Sequence, residues 1–321
     1  MTAKTHHTRP LFVRLSAEPM LVPRPDLVWE AGGVFAPAVV KRHDGYHMLY
    51  RAFGRDRISR LGYATSPDGL EWRRHTKPRV IGEGPSEQYG LEDPRSVVID
   101  GVQLTTYTAA SGHQEADGWH WLTRINILST RDNKTFVRLN PKMPNINNKD
   151  AVLFPRQING KYFMLHRPEP DIWISSSLDL KRWIDHRRIL TPVPGSWQDL
   201  RIGAGSPPIE TEHGWLVFTH GVAADLTYCM SAVMLDLADP SIVTYRLPYP
   251  LLVPGLGYEL RGIVPKVVFG TAVTDEGKTY RLYYGGADYD IAAAEINKAD
   301  LIHALMDYPA ITAPPGKALP A

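Results

Sequence analysis

The stretch Gly33-Val-Phe-Ala-Pro37-Ala-Val-Val-Lys-Arg-His-Asp-Gly45-Tyr-His-Met-Leu-Tyr50 joins a proline-led strand, a glycine-centred turn and an apolar, aromatic strand. The pattern recurs four more times, with proline-to-proline spacings of 57, 61, 53 and 57 residues. The leading prolines are Pro37, Pro94, Pro155, Pro208 and Pro265, and the turn glycines are Gly45, Gly101, Gly160, Gly214 and Gly277. Such a period holds four β-strands of about ten residues with their turns, which is one blade of a β-propeller. The pattern therefore predicts an all-β, five-bladed β-propeller.

The five repeats occupy nearly the whole chain of 321 residues and leave two short ends. We therefore expect a single propeller domain over residues 33–308. It is preceded by an N-terminal lead-in or strap over residues 1–32 and followed by a C-terminal tail over residues 309–321. Apolar residues recur at helical spacing in residues 297–306, which predicts a short C-terminal helix.

Composition and charge exclude several classes of partner. The net charge of +2 gives no electrostatic footprint for nucleic acid or an anionic membrane. No apolar run approaches the roughly 20 residues that span a bilayer, and the N-terminal residues lack the apolar region of a secretory signal. The single cysteine, Cys229, cannot form an internal disulfide, which is compatible with a reducing compartment. We therefore expect a cytoplasmic protein without nucleic-acid or membrane partners.

Polar residues flank the leading prolines in four of the five repeats. The segments are Glu92-Asp93-Pro94-Arg95, Asn147-Asn-Lys-Asp150, Gly203-Ala-Gly-Ser-Pro-Pro208 and Glu259-Leu-Arg-Gly-Ile-Val-Pro265. A carboxylate pair beside an arginine is costly to bury in an apolar strand, so Glu92, Asp93 and Arg95 are candidates for function. Polar groups also occupy one matching place in three outgoing strands: Arg51, Arg167 and His220. The repeated positions predict that these side chains converge on one site.

The residue types suit a sugar site with an anion pocket. Carboxylates accept hydrogen bonds from sugar hydroxyls, whereas arginine and lysine bind phosphate or carboxylate groups. The sequence contains no phosphate-binding glycine loop of the P-loop type, no His-Glu-x-x-His motif and no Cys-x-x-Cys motif. We therefore predict neither a metal nor a cofactor.

At these residues the chain resembles glycoside hydrolase family 130, the β-mannoside phosphorylases and inverting β-mannosidases built on a five-bladed propeller. The matching segments are residues 90–95, 148–155 with 166–168, 202–211 with 214–215 and 220–221, and 262–265 with 283–288. They occur in order and cover about residues 33–291. The resemblance implies that the propeller is a catalytic domain.

The resemblance also implies roles for individual residues. Asp93 would be the general acid, passing its proton to the glycosidic oxygen through a sugar hydroxyl, while phosphate attacks the anomeric carbon from the opposite face with inversion. By motif match, phosphate would be bound by Lys149, Arg167 and His220. The substrate would be bound by Arg51, Glu92, Arg95, Asp150, Glu210 and Asp288. Tyr283 and Tyr284 are either further sugar contacts or packing residues of the blade.

The neighbours of Asp93 in the sequence allow a prediction about its protonation. The like charge of Glu92 raises the pKa of Asp93, and burial adds to this effect. We therefore expect a raised pKa, as suits a general acid.

Two positions depart from the family pattern. Ala36 stands where the family often has asparagine before the first-blade proline, and Glu210 stands where phosphorylases often have a cation. The favoured interpretation is inverting phosphorolysis of terminal β-mannosides in short oligosaccharides, with inorganic phosphate as co-substrate and α-D-mannose 1-phosphate as product.

Two alternatives remain. One is an inverting exo-β-mannosidase, a hydrolase that uses Glu210 as base, and the more remote one is a non-catalytic sugar-binding propeller. The linkage (β-1,2, β-1,3 or β-1,4) and the acceptor sugar stay open. Aromatic residues such as Trp119 and Trp121 are compatible with a homo-oligomer.

Overall fold

The computed structural model describes residues 11–310. Residues 1–10 of the predicted N-terminal strap and residues 311–321 of the predicted tail lie outside the described residues. The described residues form a mostly β structure, and its strands group into five antiparallel units.

The strands are numbered along the chain. The first, β1 (Val13–Arg14), precedes the first unit. Unit 1 contains β2 (Gly33–Arg42), β3 (Gly45–Phe53), β4 (Ser59–Ser66) and β5 (Arg73–Arg74). Unit 2 contains β6 (Gly90–Ile99), β7 (Val102–Glu115), β8 (Gly118–Thr130) and β9 (Val137–Arg138). One parallel pair, Ser59 with Gly90, joins units 1 and 2 into a single sheet.

The remaining three units follow in sequence. Unit 3 contains β10 (Lys149–Leu153), β11 (Tyr162–Arg167), β12 (Ile172–Ser177) and β13 (Ile184–Leu190). Unit 4 contains β14 (Arg201–Ala204), β15 (Ile209–Thr211), β16 (Gly214–Val222), β17 (Tyr228–Leu235) and β18 (Val243–Arg246). Unit 5 contains β19 (Val268–Asp275), β20 (Thr279–Gly286) and β21 (Asp290–Asn297). Strand β1 pairs with β21, so the N-terminal segment supplies the fourth strand of unit 5.

Three helical segments accompany the strands in the described part of the chain. They are a 3-10 turn (Pro85–Glu87), helix α1 (Gly257–Leu260) and helix α2 (Lys298–Met306). The predicted C-terminal helix is confirmed: Asn297 caps α2 by accepting a hydrogen bond from the backbone N–H of Asp300. Within residues 11–310, none of the helices has the length and apolar character needed to cross a membrane.

Apolar clusters pack each unit against two others. Separate clusters join units 1 and 2, units 2 and 3, units 3 and 4, and units 4 and 5. A further cluster, with Tyr50 and Tyr283 among its members, joins unit 5 to unit 1. Tyr284 lies between units 4 and 5, where its hydroxyl donates a hydrogen bond to Glu259. Because both tyrosines are fully buried in these clusters, packing is the role that their positions support.

The turn glycines and the prolines of the repeat behave differently. All five glycines have positive φ, between 74° and 134°, so each is a turn position as predicted. The prolines are not equivalent: Pro37 lies inside β2, Pro155 follows β10, Pro208 separates β14 from β15, and Pro265 precedes β19. The prediction that a proline leads each strand holds for Pro208 and Pro265 and is wrong for the other three. Pro37 and Pro94 lie inside β2 and β6 beside register shifts, where the ladder does not need the N–H that proline lacks.

Bulges in the first strands of units 1, 2 and 3 change the direction of particular side chains. The strand register shifts between Phe35 and Pro37, between Glu92 and Arg95, and between Lys149 and Val152. Each bulge contains one residue with positive φ: Ala36 at 46°, Asp93 at 49° and Asp150 at 54°. A bulge re-aims the side chain that it contains. Ala36 therefore occupies in unit 1 the position that holds a carboxylate in units 2 and 3.

Candidate active site

One cavity of about 120 Å³ receives side chains from all five units. We call it the site cavity. Its lining residues are Phe35, Arg51, Asp93, Lys149, Asp150, Arg167, His220, Tyr228, Val264, Val267, Phe269 and Asp288. Seven of these twelve are residues that the sequence predicts for the site. The cavity is smaller than the roughly 300–1,000 Å³ of sites for drug-sized ligands, which suits a small polar ligand.

Arg51 fixes the position of Asp93. Its guanidinium group lies 2.5 Å from Glu92 Oε1 and 3.0 Å from Asp93 Oδ1, and its Nε donates to Ser59 Oγ at 3.0 Å. The same group lies over the ring of Phe35, 4.7 Å from the ring centre. These contacts hold Arg51 from several sides, so it orients the Asp93 carboxylate within the cavity.

The charges around Asp93 set its pKa. Burial alone would raise the pKa of Asp93, but the positive charges of Arg51, Lys149 and Arg95 outweigh burial and lower it below its usual value. With only the protein's own charged groups around Asp93, the prediction of a raised pKa is therefore wrong. That prediction considered burial and the charge of Glu92. It did not include the cations that other units place next to the Asp93 carboxylate.

Asp150 is the buried centre of the cationic side of the cavity. It accepts a hydrogen bond from Arg95 at 3.1 Å, and its other oxygen lies 2.6 Å from Arg167 Nε and 3.5 Å from His220 Nε2. The Arg167 N–H is not directed at that oxygen, so Asp150 Oδ2 and Arg167 Nε both keep unused hydrogen-bonding capacity. Burial raises the pKa of Asp150, yet Arg167, Arg95 and His220 more than reverse this and keep it ionised.

Three nitrogen-bearing side chains of the cavity retain donors for a ligand. Among residues 11–310, Lys149 forms no direct ion pair, although its charge acts on the nearby carboxylates of Asp93, Asp150 and Asp288. Arg167 Nη1 is buried and makes no hydrogen bond, although it lies 3.3 Å from Glu169 Oε1 in an ion pair, and neither ring nitrogen of His220 has a hydrogen bond. Burial lowers the pKa of His220 to about 3, so this ring is a neutral N–H donor. The cationic charge in this part of the cavity comes from Lys149 and Arg167.

Asp288 is the third carboxyl group of the cavity, and its pKa is shifted in the opposite direction to those of Asp93 and Asp150. Its backbone has φ of 53°, and no protein hydrogen bond engages its carboxylate in the described part of the chain. Burial raises the pKa of Asp288 to about 6, with the negative charge of Asp93 adding to the effect and Arg51 opposing it. Asp288 is therefore suited to accept or donate a hydrogen bond to a sugar hydroxyl.

Asp288→Asn should make stability less sensitive to pH. Since the folded pKa of about 6 exceeds the unfolded value of about 3.9, the native state binds more protons between these pH values, and the free energy of unfolding falls as pH rises. The difference in Tm, variant minus wild type, is therefore expected to be more positive at pH 8 than at pH 4. Thermal unfolding across this range measures it.

Asp290→Asn is the matched control. Asp290 is buried, has one oxygen without a hydrogen bond and does not line the cavity, and burial raises its pKa to about 7. The control should shift stability in the same direction, but only Asp288→Asn should weaken sugar binding. A Tm difference for Asp288→Asn that is constant with pH would contradict the assignment.

Three predicted site residues lie outside the cavity lining. Glu92 is held by Arg51 beside it. Arg95 is fully buried outside the cavity lining and donates hydrogen bonds to the backbone carbonyls of Asp93 and Gly205 at 2.8 Å each. Glu210 is partly exposed and pairs with Arg156 at 2.6 Å. Direct substrate contact through Glu210 is therefore not supported, because its carboxylate already has a cationic partner, Arg156, between β10 and β11 of unit 3.

Sequence reasoning missed the aromatic wall of the cavity. Phe269 packs edge-on against His220 with ring centres 4.8 Å apart, and Tyr228 stacks on His220 at 6.3 Å and also contacts Phe269 edge-on. Phe35 lies beneath Arg51. Strand-forming aromatic residues recur throughout the repeats, so their spacing does not distinguish those that face a ligand. Only the position of Phe35 next to the bulge residue Ala36 could have indicated its role.

The expectation of no metal stays a prediction. Within residues 11–310, one group of side chains could hold an ion: Glu115, Asp117 and His120. These residues lie at the exposed tip of the β7–β8 hairpin and outside the cavity lining.

Comparison with known proteins identifies close relatives. Residues 2–307 match the family model Glyco_hydro_130, described as β-1,4-mannooligosaccharide phosphorylase. A 1,2-β-oligomannan phosphorylase of Thermoanaerobacter sp. (strain X514) is 43% identical over 298 residues, which cover 90% of this chain and 98% of that protein. The β-1,4-mannooligosaccharide phosphorylase of Ruminococcus albus is 34% identical, with 90% of this chain and 89% of that protein covered.

A solved structure is similar over nearly the whole molecule. It is the β-1,2-mannobiose phosphorylase from Listeria innocua in complex with β-1,2-mannobiose, with a TM-score of 0.83 and 28% sequence identity. The similarity covers 92% of this chain and 99% of that one.

Proposed function

This chain belongs to glycoside hydrolase family 130, and we propose that it cleaves the terminal β-mannosidic bond of a short oligosaccharide by inverting phosphorolysis. The products are α-D-mannose 1-phosphate and the shortened sugar, and inorganic phosphate is the co-substrate. The observation that carries this proposal is one cavity in which the carboxyl groups of Asp93 and Asp288 share space with Lys149, Arg167 and His220.

Asp93 supplies the proton that the leaving oxygen needs. Phosphate brings negative charge to Lys149 and Arg167, and this charge offsets the cationic field that lowers the pKa of Asp93. The bound sugar also excludes water from the carboxyl, which raises its pKa further. Asp93 therefore becomes protonated as the substrates assemble and donates through a sugar hydroxyl to the glycosidic oxygen.

Phosphate needs positioning rather than a protein base. One of its oxygens forms the new bond to the anomeric carbon while the glycosidic carbon–oxygen bond breaks, and the departing oxygen takes the proton from Asp93. Lys149 and Arg167 hold the anion by charge, and the neutral ring of His220 donates one N–H. Asp150 fixes the orientation of Arg167, and Asp288 binds a hydroxyl of the mannose.

The position of Glu210 favours phosphorolysis over hydrolysis. An inverting hydrolase needs a second carboxylate to activate water. Glu210 was the candidate for that base, but its carboxylate is paired with Arg156 and does not line the cavity. The free donors around Asp150 suit an anion better than a water molecule awaiting deprotonation.

The five units are proposed to be the blades of a five-bladed β-propeller formed by residues 33–308. The cyclic packing of the apolar clusters supports this arrangement, since unit 5 packs on unit 1. The N-terminal strap, residues 1–32, would close the ring by pairing β1 with β21. A cytoplasmic location, the absence of nucleic-acid and membrane partners, and a homo-oligomeric state stay predictions.

Phosphate dependence is the decisive test. The purified chain should release mannose 1-phosphate from β-1,2- or β-1,4-linked mannobiose only when inorganic phosphate is present. Chromatography of the products with and without phosphate measures this directly. Both linkages belong in the assay because the relatives differ in the linkage that they are named for.

Glu210→Gln is the control for the hydrolytic alternative. Because Glu210 lies outside the cavity, the variant should retain phosphorolysis within about twofold of the wild type, a change of less than about 0.5 kcal/mol in the barrier. Free mannose released at a rate indifferent to phosphate, and lost in Glu210→Gln, would establish the hydrolase instead. Oligosaccharide binding without turnover under any condition would establish a sugar-binding propeller.

A further inference from the structure

Three aromatic side chains form an exposed cluster outside the site cavity. Tyr89 precedes β6, and Trp119 and Trp121 lie two residues apart on β8, so they project from the same face of that strand. Their ring centres are 5.0 to 6.3 Å apart in edge-to-face contacts. Trp119 is 43% and Trp121 is 55% exposed. We call these three residues the aromatic shelf.

Gly112 gives Trp119 its place against the hairpin. A Cβ atom at position 112 would lie only 2.6 Å from Trp119 Cζ2 and 2.8 Å from Cε2. The hairpin backbone therefore leaves room for the indole at this glycine. The indole of Trp119 therefore packs closely against the hairpin backbone, as expected for a side chain that serves as a contact surface.

Hydrogen bonds through Ser59 connect the shelf to Arg51 and Asp93 of the cavity. The backbone N–H of Ser59 donates to the carbonyl of Tyr89 at 2.9 Å, and the hydroxyl of Ser59 accepts from Arg51 Nε at 3.0 Å. Arg51 in turn binds Asp93. Tyr89 also precedes Asp93 by four residues, a separation of about 13 Å for an extended chain.

A second set of hydrogen bonds connects the shelf to the part of the cavity that contains Lys149. Asn147 Nδ2 donates to the carbonyl of Trp121 at 3.0 Å, and Asn147 Oδ1 accepts from the backbone N–H of Thr123 at 3.0 Å. The next residue, Asn148, donates its N–H to the carbonyl of Thr123 at 3.0 Å and precedes the cavity residue Lys149. Hydrogen bonds thus connect the shelf to residues on two sides of the cavity.

From these connections we propose that the aromatic shelf binds the sugar units of a β-mannooligosaccharide that extend beyond the cleaved bond. This inference rests on the proposed function. The C–H faces of pyranose rings are apolar and match the flat aromatic surfaces of the shelf. The distance from Asp93 to the shelf exceeds one pyranose ring, so the shelf contacts longer substrates and leaves a disaccharide untouched.

The Trp119→Ala/Trp121→Ala double variant tests the shelf through chain-length preference. With phosphate present, kcat/KM for a β-mannotetraose should fall by at least about tenfold, whereas kcat/KM for the mannobiose of the same linkage should stay within about twofold. Gly112→Ala keeps both tryptophans but crowds Trp119 and the backbone carbonyl of His120, so it should shift Trp119 together with the hairpin and give a smaller loss in the same direction. Leu178→Ala, which truncates a 70% exposed side chain after β12, is the matched control and should change neither value.

An unchanged ratio of tetraose to biose activity in the double variant would overturn the inference. If light scattering also showed a smaller assembly for that variant, the shelf would be a contact between copies of the chain, which equally overturns it. Calorimetry of mannotetraose binding without phosphate separates this inference from the proposed function. Binding that depends on the tryptophans in a protein without phosphorolysis would retain the shelf and reject the reaction, and binding unaffected by their removal would reject the shelf.

Discussion

Asp93→Asn is expected to lower kcat for phosphorolysis of a β-mannobiose by about 10²–10⁴-fold, the range that a general acid contributes. Asparagine tolerates the positive φ of 49° at this bulge, and its amide oxygen can still accept the hydrogen bond from Arg51. The backbone and the cavity should therefore persist while the proton is lost. Steady-state kinetics with saturating phosphate measures the effect, and an unchanged Tm confirms the fold.

An activated substrate provides the internal control for this variant. An aryl β-mannoside with a good leaving group needs little protonation, so Asp93→Asn should lose far less activity on it than on mannobiose. A loss of equal size on both substrates would contradict the role of Asp93 as acid. A larger loss in Asp288→Asn than in Asp93→Asn on mannobiose would instead assign the acid to Asp288, whose pKa of about 6 suits protonation near neutrality.

The convergence of the site was predictable because the fold repeats. Residues at matching places of a repeat occupy matching places in space, so Arg51, Arg167 and His220 were expected to meet, and all three line one cavity. The turn glycines were predictable for a related reason, since the turns require positive φ. These features depend on local geometry and on the repeat alone.

The electrostatics of the site were not predictable in the same way. The pKa of Asp93 depends on Arg51 and Lys149, which come from other units, and on how closely the fold brings their charges to one carboxylate. The charge of a sequence neighbour, Glu92, predicted a pKa shift in the opposite direction. The position of the Glu210 side chain was equally unpredictable from the sequence, because Pro208 interrupts the first strand of unit 4 and Glu210 then pairs with Arg156.

Arg167→Gln is expected to lower kcat/KM for phosphate by about 10²–10³-fold, the cost of removing one preorganised donor to a reacting anion. The variant removes a buried charge that Asp150 holds in place, but Asp150 keeps its hydrogen bond from Arg95, so the cavity retains a partner for that carboxylate. The loss should appear mainly as a raised KM for phosphate, with KM for the mannoside little changed. Initial rates over a matrix of phosphate and mannobiose concentrations separate the two.

Arg201→Gln is the matched control, because Arg201 lies near the same Glu169 carboxylate as Arg167 and yet does not line the cavity. Its loss should leave KM for phosphate within about twofold of the wild type, a barrier change below about 0.5 kcal/mol. A phosphate KM that is equally insensitive to Arg167→Gln would remove the anion pocket from this side of the cavity. If both variants raised it equally, general positive charge near Glu169 would account for phosphate binding. The contrast between the two arginines therefore tests whether the Arg167 guanidinium that lines the cavity, rather than net charge around it, binds the attacking anion.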